Sequence, residues 1–266
     1  MEKYSVRYRY SAILLRQLVK TDFKLRYQGS VLGYAWSLLR PLFLFVILYV
    51  VFSKFLRVGD GIPHYPVYLL LGIVLWNYFL EVTSGSVSSI VGKGDLLRKL
   101  NFPKYIIVLS GSVGAVINLG LNFVVIGVFM LLTGVDSSPI SILIVPLLIE
   151  LTLLALGLAF ALSALFVKFR DVAYIWEVIT QAAFYATPIL YPLALVPVMA
   201  QKYLLLNPIA QVIQDARHVL VTPDSTVIND IWSPVVWLVP IVISVVIFII
   251  GSMYFKSRSK YFAEEV

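Results

Sequence analysis

Long apolar runs separated by short polar clusters set the pattern of this chain. Residues 61–80, 105–135, 178–201 and 231–255 contain no Asp, Glu, Lys or Arg. A helix of roughly 20 apolar residues crosses a hydrocarbon core about 30 Å thick. A soluble core cannot absorb so many uninterrupted runs in 266 residues, and in lipid the backbone must satisfy its own hydrogen bonds, as a helix does. The pattern predicts an all-α integral membrane protein with six transmembrane helices, at 34–56, 65–86, 105–132, 140–167, 172–191 and 234–255. Trp36, Tyr65, Tyr68, Tyr105, Tyr191, Trp232, Trp237 and Tyr254 sit near the ends of these spans, as aromatic residues do at membrane–water interfaces.

Two stretches carry helical signals but do not span. In 11–30, Leu15, Leu18, Val19 and Phe23 recur at helical spacing, with Arg16, Gln17, Lys20, Thr21, Lys24 and Gln28 on the other side. This predicts a basic amphipathic helix lying in the headgroup plane. It serves either as a positive-inside anchor or as a docking surface and guide for an anionic headgroup. The other stretch, 192–233, is too long for an unstructured loop. Pro188, Pro192 and Pro197 interrupt the fifth span at its far end. Two apolar pieces follow, 198–206 and 209–221, split by Asn207 and Pro208. Each is too short to cross. They predict a re-entrant helical hairpin resting in the outer leaflet, with Lys202, Asp215, Arg217 and His218 toward water or headgroups, acting as a structural lid or an outer gate.

Charge fixes the expected orientation. Most of the 21 lysines and arginines precede the first span, lie between spans two and three or four and five, or follow span six. Only Lys54, Arg57, Lys202 and Arg217 fall on the other side. The positive-inside rule then places both termini in the cytoplasm, as an even number of spans also requires. The net charge of +7 is accounted for by orientation and by contact with anionic membrane lipids. It points to no nucleic acid. The basic opening lacks the short apolar core and cleavage site of a secretory signal.

Catalytic chemistry is sparse. The one Gly-Lys pair, Gly92-Lys93, has Val87 where a Walker A loop needs glycine and Gly94 where it needs Ser or Thr. There is no His-Glu-x-x-His, no Asp-x-Asp and no cysteine, so no catalytic residue and no metal or cofactor site is expected on this chain. Glu81, Glu150 and Glu177 lie in or near spans, where a carboxyl marks an ion path or pairs helices. Aromatic residues are dense in spans one and five. Trp36, Phe45, Tyr49, Phe52, Phe184, Tyr185 and Tyr191 either pack against lipid or line a conduit, since flat rings stack on the apolar faces of sugars.

The run 21–42, TDFKLRYQGSVLGYAWSLLRPL, carries a resemblance through Asp22, Lys24, Arg26, Tyr27, Ser30, Gly33, Trp36 and Pro41. Gly72 and Trp76 in LLGIVLWNYF follow, then Phe102 and Pro103 in KLNFPK, Phe169 to Asp171, Thr187 to Tyr191 in TPILY, and Asn207 and Pro208 in LNPIA. Lys104 stands after Pro103 where relatives carry Arg, which keeps the charge. In this order the chain resembles ABC-2 type permeases that export bacterial polysaccharides, above all the membrane subunit of O-antigen exporters. The resemblance implies one domain over 1–266: an interface helix at 1–33, spans one to five at 34–191, an outer gate hairpin at 192–233, span six at 234–255 and a cytoplasmic tail at 256–266. It also implies a homodimer in the bacterial cytoplasmic membrane, paired with two copies of an ATPase that holds ATP and Mg. The cargo implied is a glycan on undecaprenyl pyrophosphate. Lys24, Arg26 and Arg40 would steer the pyrophosphate, because arginine grips phosphate with two parallel donors. The loop 92–103, with Asp95, Arg98, Lys99, Phe102 and Pro103, would couple to the ATPase. Pro188, Asn207, Pro208 and Arg217 would belong to the outer gate.

Other readings remain open on the residues alone. Capsule or teichoic acid export and efflux of drugs or small lipids use similar permeases. A proton-coupled carrier using Glu81, Glu150 or Glu177 would show internal repeats, which the chain lacks. A membrane acyltransferase would need a buried histidine or an acidic pair.

Overall fold

The computed structural model describes residues 2–27, 30, 33, 35–100, 102–136 and 138–265, without the side chains of 2–9, 23 and 25–27. Gln28 and Tyr34, expected in the amphipathic helix and at the start of span one, lie outside these residues. The described chain is helical throughout, with no strand. Helix α1 is Glu2–Tyr27, α2 is Ala35–Tyr49 and α3 is Tyr65–Val87. Two short helices follow, α4 at Ser89–Gly92 and α5 at Gly94–Lys99, and then α6 at Tyr105–Thr133 and α7 at Ile144–Lys168. After α8 (Val172–Ala186) come α9 (Val198–Leu204), α10 (Pro208–Leu220), α11 (Ile228–Ile231), α12 (Leu238–Arg258) and α13 (Phe262–Glu265).

Five helices among the described residues are long and apolar enough to cross a membrane. They are Ala35–Phe55, where α2 runs on into a π-helical turn, Tyr65–Val87, Tyr105–Thr133, Pro139–Lys168 and Pro234–Arg258. They match the expected spans one to four and six within a few residues. The expected fifth span is shorter. Helix α8 ends at Ala186, and its 15 residues rise about 22 Å, short of the hydrocarbon thickness of about 30 Å. The cause is local: Thr187 precedes Pro188, whose ring excludes the helical conformation one residue upstream, and Thr187 is extended (φ −84°, ψ 137°).

Helix α3 is the hub. It packs against α2, α6, α7, α8 and α10, and most of its side chains are buried. Its long apolar sequence thus reflects burial in protein more than contact with lipid. Helices α7 and α12 share the closest helix contact. A Cβ placed on Gly251 would lie 2.0 Å from the Gly157 carbonyl oxygen, and one on Gly157 would lie 2.6 Å from the Phe248 backbone. Only glycine at both positions lets the two backbones approach this closely.

Helix α1 docks on α6. Leu15, Leu18 and Val19 are half-buried while Arg16, Gln17, Lys20, Thr21 and Lys24 are exposed, the division its periodicity predicts. Asp22 anchors it: Lys93 Nζ reaches Asp22 Oδ2 at 2.7 Å, and Ser110 Oγ donates to the same oxygen at 3.0 Å. The tail closes the same end of the bundle. Helix α13 contacts α5, Phe262 is buried against Phe255, and Lys104 Nζ donates to the Ser259 carbonyl at 2.6 Å.

The segment after α8 departs from expectation. Asn207 caps α10 by accepting from the Ile209 amide at 3.1 Å, and Pro208 takes the first helical position, where a missing N–H costs nothing. Yet α10 does not lie at the surface. It packs into α7, α3 and α12. Asp215 and Arg217, expected toward water or headgroups, are buried. Arg217 can be buried because three backbone carbonyls satisfy its guanidinium. Asp215 accepts from Trp237 Nε1 at 3.0 Å and from Gln211 Nε2. Burial pushes its carboxyl above the usual range, and those two donors partly offset this.

A cleft lined by amides and indoles

A cleft of about 900 Å³ opens between α2, α3, α6 and α8. It lies toward the end of the bundle that carries α4, α5 and the tail, since it takes the first turns of α2 and α8 and the last half of α3. Its walls are mixed, with polar side chains set among apolar ones such as Val74, Leu80 and Leu119. Arg40 and Trp36 come from α2, Asn77, Glu81 and Ser84 from α3, Asn118 and Asn122 from α6, and Trp176, Glu177, Thr180 and Gln181 from α8. Asn118 Nδ2 donates to Glu81 Oε1 at 2.8 Å, and Asn122 Nδ2 donates to the Asn118 carbonyl at 2.8 Å. Asn118 Oδ1 is buried and has no hydrogen-bond partner among the described residues. Trp176 Nε1 donates to Ser84 Oγ at 3.2 Å, pinning α8 to α3. Tyr78, also in the lining, meets Thr152 at 2.7 Å. Two indoles, several amides and few charges make a surface suited to polyhydroxylated ligands.

Of the cations expected to steer pyrophosphate, Arg40 lines this cleft and is exposed. Lys24 is exposed on α1 and is not part of the lining; the side chain of Arg26 lies outside the described residues. The expected conduit aromatics separate into three places. Trp36 faces the cleft. Phe45 is buried, stacked on Tyr49 at 5.8 Å and edge-on to Phe129 at 5.5 Å, with Phe52 half-buried nearby on the same span. Tyr185 is exposed beside Phe184, which packs on Trp76, and Tyr191 donates its hydroxyl to the Tyr185 carbonyl at 3.1 Å. Of the three acids noted in the sequence, Glu81 and Glu177 line the cleft, while Glu150 is buried on α7 with Oε1 unpartnered among the described residues. Sequence reasoning missed the amides. The Asn118/Asn122 spacing, one helical turn apart in an otherwise apolar run, is the signal that could have found them.

At the opposite end Arg217 closes the chain on itself. Its Nη1 and Nη2 donate to the Pro188 and Ile189 carbonyls, each at 2.7 Å, and Nε donates to the Tyr68 carbonyl at 3.1 Å. The guanidinium stacks 3.6 Å from the Tyr68 ring centroid. Gly72 makes room for it, since a Cβ there would lie 2.6 Å from Nη2. Tyr65 donates to the Leu190 carbonyl at 3.0 Å. The carbonyls of the extended segment just after α8 are thus held by side chains from α10 and α3.

The expected coupling loop, 92–103, forms α5. Asp95, Arg98 and Lys99 are exposed, Leu97 and Phe102 are buried beneath them, and Pro103 is half-buried at the start of α6.

Residues 13–221 match the ABC-2 type transporter family. The chain is 32% identical to an O-antigen export system permease protein, RfbA, of Myxococcus xanthus, over 97% of both chains. It is 29% identical to the RfbA of Klebsiella pneumoniae, over 98% of this chain and 97% of that one.

Proposed function

The chain belongs to the ABC-2 type transporter family, and from that premise we propose that it is the permease subunit of an exporter of lipid-linked polysaccharide. The cargo is a glycan on undecaprenyl pyrophosphate, carried across the bacterial cytoplasmic membrane. The observation that carries this reading is the cleft that sets amides and indoles among apolar helices. Its Asn, Gln and Trp lining suits sugars, and Arg40 at its edge suits a phosphate. The names of the relatives agree.

In this reading two copies form the exporter, each with α8 as a short fifth crossing completed by the segment after Ala186. Both termini are cytoplasmic, so α5 faces the cytoplasm. There Asp95, Arg98 and Lys99 meet a separate ATPase that supplies ATP and Mg; the absence of a Walker A loop from this chain is consistent with that division of labour. Cells depleted of this permease should lose surface polysaccharide and accumulate the lipid-linked polymer in the inner leaflet. Surface polymer should return with the wild-type chain and return poorly with Arg40→Gln. Unchanged surface polymer after depletion would overturn the reading.

A further inference from the structure

We propose that the tail helix α13 positions α5 against the partner ATPase, with Phe262 as the positioning residue. The inference rests on the export reading above, in which α5 meets the ATPase, and adds a part to that contact.

Helix α5 is too short to hold its own place. It has six residues, Gly94–Lys99, and a helix of that length is marginal without tertiary support. Lys93 alone separates it from α4, and Leu100 behind it is already extended (φ −127°, ψ 134°). Its position therefore comes from packing. Leu97 is buried while Asp95, Arg98 and Lys99 are exposed. Of the described helices, α13 packs most extensively against α5.

Helix α13 is short as well, but it is tied down on several sides. Phe262 is fully buried, and its ring stands edge-on to Phe255 of α12 at 5.3 Å. Phe255 in turn meets Phe160 of α7 at 5.1 Å. Arg258 Nη2 donates to both carboxylate oxygens of Glu265, at 2.8 and 3.1 Å. Lys104, at the start of α6, donates to the Ser259 carbonyl in the turn before α13 at 2.6 Å. The Arg258–Glu265 pair is partly exposed and contributes little by itself, so burial of the Phe262 ring supplies most of the hold. Contacts thus run from α5 through α13 to α12 and α7, whose backbones meet closely at Gly157 and Gly251. A push on α5 reaches these two spans through a phenyl ring, in addition to the chain connections toward α3 and α6. With α13 released, α5 would yield under the ATPase while the spans stayed still. Hydrolysis would continue on the partner and transport would fail.

The test reconstitutes the full-length permease with its partner ATPase in proteoliposomes. An undecaprenyl-diphosphate oligosaccharide with a terminal nitrobenzoxadiazole is supplied, and transport is read as protection from external dithionite per ATP hydrolysed. Phe262→Ala should lower this ratio by about tenfold, since a truncated buried ring leaves a cavity where the tail docked. Phe262→Leu refills most of that space and should restore the ratio to within about twofold of wild type. Lys104→Met removes the Ser259 tether, leaves the ring in place and should lower the ratio by about threefold. An unchanged ratio in Phe262→Ala overturns the proposal. So does a fall of hydrolysis and transport in equal proportion, which is what a merely structural role produces. Where Phe262→Ala fails to assemble, Lys104→Met decides, and an unchanged ratio there overturns the proposal. Absence of transport by a folded, ATP-hydrolysing wild-type complex overturns instead the export reading beneath it.

Discussion

Replacing Arg217 by Met should open the end of the bundle where α8 stops. Methionine fills a similar volume without donors. The Pro188 and Ile189 carbonyls, each bonded at 2.7 Å, then lose the guanidinium, and the Tyr68 carbonyl loses a bond of 3.1 Å. Hydrogen bonds to a charged group contribute about 1.5–3 kcal/mol each, and a buried acceptor left empty costs about 1–3 kcal/mol. These values overlap, and the loss of Tyr68 stacking is partly recovered by the new apolar contact. A net cost of about 3 kcal/mol, toward the low end of what three such bonds would sum to, is the working figure. The chain has no cysteine, so Leu190→Cys gives one reporter at a buried site beside the latch. An impermeant maleimide added on the side away from α5 should label this reporter on the order of a hundredfold faster with Arg217→Met than without it, the factor that about 3 kcal/mol implies. Arg217→Lys keeps the charge but loses the planar fork, and should fall between. Labelling of Arg217→Met at the parent rate would show that Arg217 does not hold this closure.

Gly251→Ala drives a Cβ to 2.0 Å from the Gly157 carbonyl oxygen and should cost about 1–3 kcal/mol as α7 and α12 separate, read as a lower thermal midpoint in detergent; an unchanged midpoint would refute the close contact. Lys93→Met removes the partner of Asp22. It should cost about 1 kcal/mol or less, since the pair is partly exposed, and free α1 to faster proteolysis; unaltered cleavage would mean that α1 is held elsewhere. Inserting Gly-Ser after Leu97, within α5, should leave assembly with the ATPase intact while separating ATP hydrolysis from export; normal export by that chain would exclude α5 from coupling.

The long spans were legible because burial in lipid and burial in protein both demand uninterrupted apolar sequence. That shared demand also hides the difference between them: α3 and α2 read alike, yet α3 is the enclosed hub and α2 is mostly exposed. The end of α8 was half legible. Pro188 announced an interruption, but not that the helix would stop at Ala186 with the carbonyls of the following Pro188 and Ile189 held from α10. Arg217 and Asp215 misled because charge in an amphipathic segment ordinarily marks the wet face. Here the groups that satisfy Arg217 are backbone carbonyls 149 and 28–29 residues away in sequence, and carbonyls carry no sequence signal. The cleft was legible in part, through Arg40, Trp36 and the acids Glu81 and Glu177. Asn77, Asn118, Asn122 and Gln181 become a wall only once α3, α6 and α8 meet, which local periodicity does not encode.

The central claim, that this permease moves a lipid-linked glycan at the expense of ATP hydrolysed by a partner, is tested most directly in proteoliposomes containing both proteins and a labelled neutral undecaprenyl-diphosphate glycan. The account predicts that glycan becomes protected inside the vesicles when ATP and Mg are added outside, and that protection is lost when the ATPase is omitted or Trp36 and Arg40 of the cleft are replaced together by Leu and Gln. Protection driven by a pH gradient without ATP, or unaffected by omission of the ATPase, would contradict it.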